Sequence, residues 1–146
     1  MKIVDLNVLL YAVNRDATHH DAARAWLESN LSSDESVGLP WVVLLGFLRI
    51  ATSPRIFPRP LDPAEAMWRI DAWLACDTTC VVTENDEHWP TLRRLLAAAG
   101  TAGNLTTDAH LAALAVCHGA VLASFDADFG RFEGLRWENP ATAPGL

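Results

Sequence analysis

A short apolar run that ends on a carboxylate and leads directly into a helical pattern is the feature that most limits how this chain can fold. It occurs first at Lys2-Ile3-Val4-Asp5-Leu6-Asn7 and again at Ala120-Val121-Leu122-Ala123-Ser124, which continues into Phe125-Asp126-Ala127-Asp128. A carboxylate just past a buried strand is costly unless something compensates it. In open α/β sheets, ligands bind in the crevice beyond the carboxyl ends of the strands. Two strands of this kind, each delivering an acid to the same edge, predict a site there. Asp108, in Asn104-Leu105-Thr106-Thr107-Asp108, opens a helix between them and is a third candidate.

The rest of the chain alternates strand and helix. After residues 2–5, Leu6 to Val13 read as an apolar helix. Thr18-His19-His20-Asp21 resembles a capped start for a helix to Leu31. Ser36 to Leu39 form a strand, and Pro40 precedes an apolar helix from Trp41 to Ala51. Thr52 to Leu61, rich in Pro, is a loop. Asp62-Pro63-x-Glu65 is a cap, a first-turn Pro and a first-turn acid, opening a helix to about Cys76. Cys80 to Thr83 form a strand. Asn85 or Asp86 caps a helix ended by Gly100, and Thr106 or Thr107 caps one from Asp108 to His118, with Gly119 past its end. Val121 to Ser124 and Leu135 to Trp137 are the last strands, and the tail from Pro140 is irregular. This order predicts a parallel sheet with helices on both faces. In particular, the first strand and Val121–Ser124 are expected to be neighbours.

With 146 residues, 51% apolar and 20% charged, the chain reads as one globular domain, residues 1–146. No apolar run reaches the ~20 residues of a membrane span, and the N-terminus lacks a secretory pattern, so the expected location is the cytoplasm. Cys76, Cys80 and Cys117 are odd in number without zinc-type spacing, and are expected as buried thiols. The five histidines show no close ligand pair on one helix face and are expected in surface or core roles. The six tryptophans are expected mainly in the core, Trp68 and Trp73 among them, although Trp41 could stack on a base.

A net charge of −7 argues against broad electrostatic attraction to nucleic acid, but divalent ions reverse the sign locally. Arg49, Arg55 and Arg59 form a basic stretch around Phe57 that could grip phosphates. Asp5, Asp108, Asp126 and Asp128 form an all-oxygen donor set of the kind hard cations such as Mg²⁺ or Mn²⁺ prefer. Singly, Asp108 is also explained as a first-turn acid and Asp126 and Asp128 as turn residues. Their combination with Asp5 favours a metal site for phosphodiester hydrolysis. Receiver domains and aspartyl-nucleophile phosphatases also place an Asp at a strand end, but both need a partner Lys. The only Lys here, Lys2, sits on the same short strand as Asp5.

Several stretches together resemble a PIN-domain ribonuclease of the VapC toxin type. They are Ile3-Val4-Asp5-Leu6-Asn7; Leu39-Pro40-Trp41 leading to Phe47-Leu48-Arg49; His88-Trp89; Gly103 to Ala115; Ser124 to Phe129 with Arg131-Phe132; and Leu135-Arg136-Trp137. The resemblance spans nearly the whole chain. It implies a three-layer α/β/α PIN-like fold with a central, mostly parallel sheet, and Mg²⁺- or Mn²⁺-dependent endonucleolytic cleavage of RNA. It also implies metal-binding acids at Asp5, Asp108 and Asp126 with Asp128 as helper, and hydrogen-bonding support from Asn7, Thr107 and Ser124. A small VapB-like antitoxin would fill the groove over the site, and the protein would act as a homodimer or a toxin–antitoxin hetero-oligomer. One departure stands out: where the family pattern has a Glu in the helix after Pro40, this chain has Gly46, which the resemblance turns toward the metals with space left for water. A PIN-like domain that binds RNA or an antitoxin without cutting is the alternative.

Overall fold

The computed structural model describes residues 1–142; the expected irregular tail from Pro140 lies outside the described residues beyond 142. Five strands, β1 (Lys2–Val4), β2 (Val37–Pro40), β3 (Thr79–Val82), β4 (Val121–Ala123) and β5 (Arg136–Glu138), form one sheet in the order β3-β2-β1-β4-β5. All four pairings are parallel, so the sheet is parallel throughout and not merely in the main. Six helices flank it: α1 (Leu6–Val13), α2 (His20–Leu31), α3 (Trp41–Ala51), α4 (Pro63–Leu74), α5 (His88–Ala99) and α6 (Thr106–Cys117). The expected α/β/α layering is therefore present.

The expected pairing of the first strand with the late one is observed, with Val4 opposite Ala123 and Asp5 N donating to Ala123 O at 3.0 Å. β1 is central and closed to water: Ile3 and Val4 are fully buried, as is Leu122 on β4. Covered on both faces, these strands carry unbroken apolar runs instead of an alternating pattern. α6 packs Ala109, Ala112, Ala113 and Ala115 at full burial, small side chains that let the helix approach closely. Gly119, at φ 60°, turns the chain out of α6 into β4, as its place after the helix predicts.

The Asp62 cap holds, its side chain accepting from Ala64 N at 3.2 Å. Three expected starts differ. α2 begins at His20 with His19 at the N-cap and no side-chain cap bond, and the His19 ring stacks on Phe125 at a ring separation of 4.8 Å. Asn85 makes a turn before α5, accepting from Glu87 N at 3.0 Å. α6 starts at Thr106 directly from a 3-10 turn, Gly103–Leu105, so neither threonine caps it. The thiols are half-buried, not buried, and all three are free. Trp68 is 64% exposed, whereas Trp73 packs edge-on to Phe47 at 4.9 Å. Five residues apart, the two indoles lie on different helix faces, so only one reaches the core.

Candidate active site

The site is built from the ends of β1 and β4 and the start of α6. Asp5 leaves β1 in an extended conformation, φ −78° and ψ 157°, and serves as the N-cap of α1, with Oδ1 accepting from Leu6 N at 2.7 Å. Its second oxygen, Oδ2, accepts from the fully buried Ser124 hydroxyl at 2.7 Å. Burial pushes the Asp5 carboxyl up, the Ser124 and Leu6 donors pull it down, and the charge of Asp126 adds to the upward push.

Ser124 is the hub of a small network. Its Oγ also accepts from Asn7 Nδ2 at 3.1 Å and from Asp126 N at 3.0 Å, while Asn7 Oδ1 accepts from Phe125 N at 3.2 Å. Asp126 caps the 3-10 turn Ala127–Arg131, accepting from Asp128 N at 2.9 Å. Phe129 and Phe132 anchor that turn in the core. The segment after β4 thus cannot drift from Asp5: backbone pairing, a buried hydroxyl and an amide all tie it down.

Asp108 completes the group from the first turn of α6. Its carboxyl is pushed up to about 6, first by burial and then by the charges of Asp5, Asp126 and Asp128. A helix N-terminus favours an anion, so the upward shift means that burial and like charge outweigh the dipole. Asp5, Asp126 and Asp128, from two other parts of the chain, therefore all lie within electrostatic reach of Asp108.

Of the supporting residues, Asn7 and Ser124 join this network. Thr107 is exposed and its hydroxyl makes no hydrogen bond among the described residues. Arg49 and Arg55 are exposed and lack ion pairs among the described residues, while Arg59 pairs with Asp16 at 3.3 Å. A Cβ at Gly46 would first meet Leu6, at 3.0 Å from Cδ2. The space expected there for water is filled by that side chain.

The expectation of separate histidines misses one contact. His88 Nε2 and His110 Nδ1 are 2.9 Å apart, joining α5 to α6, and His110 Nε2 lies 3.4 Å from Glu84. His88 Nδ1 is buried with no partner among the described residues. A buried lone pair is tolerated there better than a buried N–H, which places the His88 proton on Nε2, donating to His110, whose own Nε2–H faces Glu84. The 22 residues separating the two rings hide this pair from any reading of helix faces.

The donor set around Asp5 is all oxygen, and Asp108 registers negative charge that nothing among the described residues neutralises. Both properties fit a hard divalent cation. Among the described residues, no three His, Cys, Asp or Glu side chains stand close enough to enclose one ion. Mg²⁺ keeps several waters and takes only one or two carboxylates, so the fit lies in donor chemistry and charge.

The PIN domain family profile matches residues 2–135. The chain belongs to the PIN-domain family. Relatives place this PIN domain among the VapC ribonucleases. It is 50% identical over 140 residues to ribonuclease VapC37 of Mycobacterium tuberculosis, covering 96% of this chain and 97% of the relative. It is 40% identical over 140 residues to ribonuclease VapC43 of the same organism, covering 96% and 95%. Solved PIN-domain structures share the fold. VapBC2 from Rickettsia felis, bound to a DNA fragment from its promoter, superposes with a TM-score of 0.71 at 18% identity, covering 94% of this chain and 97% of that one. Mycobacterium tuberculosis VapC20, a Sarcin-Ricin loop cleaving toxin, gives 0.66 at 18% identity, covering 93% and 99%.

Proposed function

We propose that this chain is a metal-dependent endoribonuclease and the toxin of a VapBC-type pair. Asp5, Asp108 and Asp126 would hold Mg²⁺ or Mn²⁺, with Asp128 assisting. The observation that carries this reading is the parallel pairing of β1 with β4, which brings Asp5 and Asp126 to one sheet edge, where both act on the charge of Asp108. A bound divalent ion supplies charge neutralisation at the scissile phosphate and acidifies the attacking water.

The protein's part is positioning. Ser124 fixes one Asp5 oxygen and Leu6 N the other, so the carboxylate is held in one orientation with lone pairs to spare. Asn7 and the Asp126 backbone hold Ser124 in turn, the kind of outer hydrogen bonding that orients ligating carboxylates. Arg49 and Arg55 are exposed cations free to meet the RNA backbone. The relatives' names and the VapBC structures support a VapB-like antitoxin as partner. In this reading the protein works in the cytoplasm as a homodimer or a toxin–antitoxin hetero-oligomer. Among the described residues, no helix is long and apolar enough to cross a membrane.

The test is a cleavage map of total cellular RNA with the purified chain, with and without Mg²⁺, beside Asp5→Ala. Discrete cuts that require both the metal and Asp5 are expected. Cuts that persist in EDTA or in the Asp5→Ala protein would refute the mechanism, and RNA binding without any cut would favour the non-cleaving alternative.

A further inference from the structure

The outer face of α5 combines an open indole with unpaired arginines. Trp89, in the first turn, is 64% exposed. With Pro90, Arg93, Arg94 and Ala97 it lines a groove of about 420 Å³. Trp89, Arg93 and Ala97 follow at intervals of four residues and so form one stripe along the helix. The indole has neither an aromatic nor a cationic partner over its ring among the described residues; the one cation on a tryptophan there is Lys2, 5.7 Å from the Trp26 ring. Arg93 and Arg94 are exposed and form no ion pair or side-chain hydrogen bond among the described residues. The acids that precede the helix leave them free: Glu84 faces His110, and Asp86 and Glu87 lie in the turn before α5.

We propose that this face of α5 binds single-stranded RNA, with Trp89 stacking on a base and Arg93 and Arg94 holding the flanking phosphates. Every base has a π-face, so an open indole takes any sequence, and guanidinium pairs suit phosphate oxygens. In a chain of net charge −7, two unneutralised arginines beside an open indole form a local exception that matches a polyanion with stackable rings. His88, next to Trp89, bonds at 2.9 Å to His110 of α6 from the buried side of α5, so the groove lies on the face of α5 turned away from α6 and is separate from the acids. The substrate assignment rests on the ribonuclease reading above, and the groove would serve as a binding surface outside the acids.

The test separates binding from cleavage. Fluorescence anisotropy of a labelled single-stranded RNA of about 16 nucleotides is measured in EDTA with the full-length protein, for wild type, Trp89→Ala, Trp89→Phe and Arg93→Ala/Arg94→Ala. Trp89→Ala is expected to weaken binding roughly ten-fold, with Trp89→Phe restoring most of it. The double arginine variant should flatten the slope of log affinity against log salt by about 1.4, two phosphates at ~0.7 each. With Mg²⁺, Trp89→Ala and the double arginine variant should raise KM on the long RNA, and Trp89→Phe should return it close to the wild-type value. Unchanged metal-free affinity and unchanged salt slope would overturn the proposal. So would variants that keep RNA affinity but alter self-association, because the face would then be a protein interface. Failure of the ribonuclease reading shows differently, as wild type that binds RNA in EDTA but does not cut it with Mg²⁺.

Discussion

The Ser124 hydroxyl donates to Asp5 Oδ2 at 2.7 Å across two adjacent parallel strands. It links residues 119 positions apart and is fully buried. A hydrogen bond to a buried carboxylate is stronger than one between neutral groups, because the ion has no water to fall back on. Ser124→Ala is therefore expected to cost about 1.5–3 kcal/mol, read as a lower urea midpoint at neutral pH. It also frees Asn7 and the Asp126 backbone, so cleavage should fall about 10- to 100-fold even where the protein stays folded. A Ser124→Ala protein with wild-type stability and activity would remove this hub from the site.

Asp108 gives the metal-free protein a pH dependence of defined sign. Its folded carboxyl titrates at about 6 against an ordinary 3.8, so the folded state holds the proton more tightly than the unfolded chain. The stabilisation this affords is fully present below about pH 4 and is lost as pH rises through about 6. Burial shifts Asp5 in the same direction and adds to the trend. Because Asp108 is half-exposed and solvent screens it, its share is on the order of 1 kcal/mol. In EDTA, Asp108→Asn should raise the Tm at pH 7 by about 3 °C and flatten the profile between pH 4 and 6, while abolishing Mg²⁺-dependent cleavage. A lower Tm for Asp108→Asn at pH 7 would mean that its charge is neutralised by a group of the folded protein.

Gly46 offers a test of the helix facing the site. Alanine there gains about 1 kcal/mol of helix propensity, offset in part because its Cβ starts 3.0 Å from Leu6 Cδ2. Leu6 is half-exposed and can yield, so Gly46→Ala should unfold at or slightly above the wild-type temperature. Gly46→Glu must move aside Leu6, the residue that follows Asp5 in the chain. The expected result is a lower Mg²⁺ concentration for half-maximal cleavage of one RNA oligonucleotide, with cleavage retained. Unchanged metal dependence would mean that Leu6 keeps the new carboxylate away from the acids.

The sequence by itself determined the alternation of strands and helices, the neighbouring of β1 and β4, and Asp5 as an acid placed by a strand. Apolar runs, Pro and Gly punctuation and Asx caps act over a few residues, so a chain reveals them locally. The Asp62 cap and the Gly119 turn were legible for the same reason. Only the tertiary structure decided what meets what. Asn7 and Ser124 join Asp5 in one network while Thr107 stays outside it; nothing within six residues of Thr107 signals that its hydroxyl finds no partner. Leu6 fills the space over Gly46, the His19 ring stacks on Phe125, and His88 bonds to His110, all through packing between elements far apart in sequence. Trp68, Trp73 and Trp89 make the point most directly: one indole is core and two face solvent. Hydrophobicity alone cannot choose among them, because each outcome depends on which helix face the neighbouring element covers.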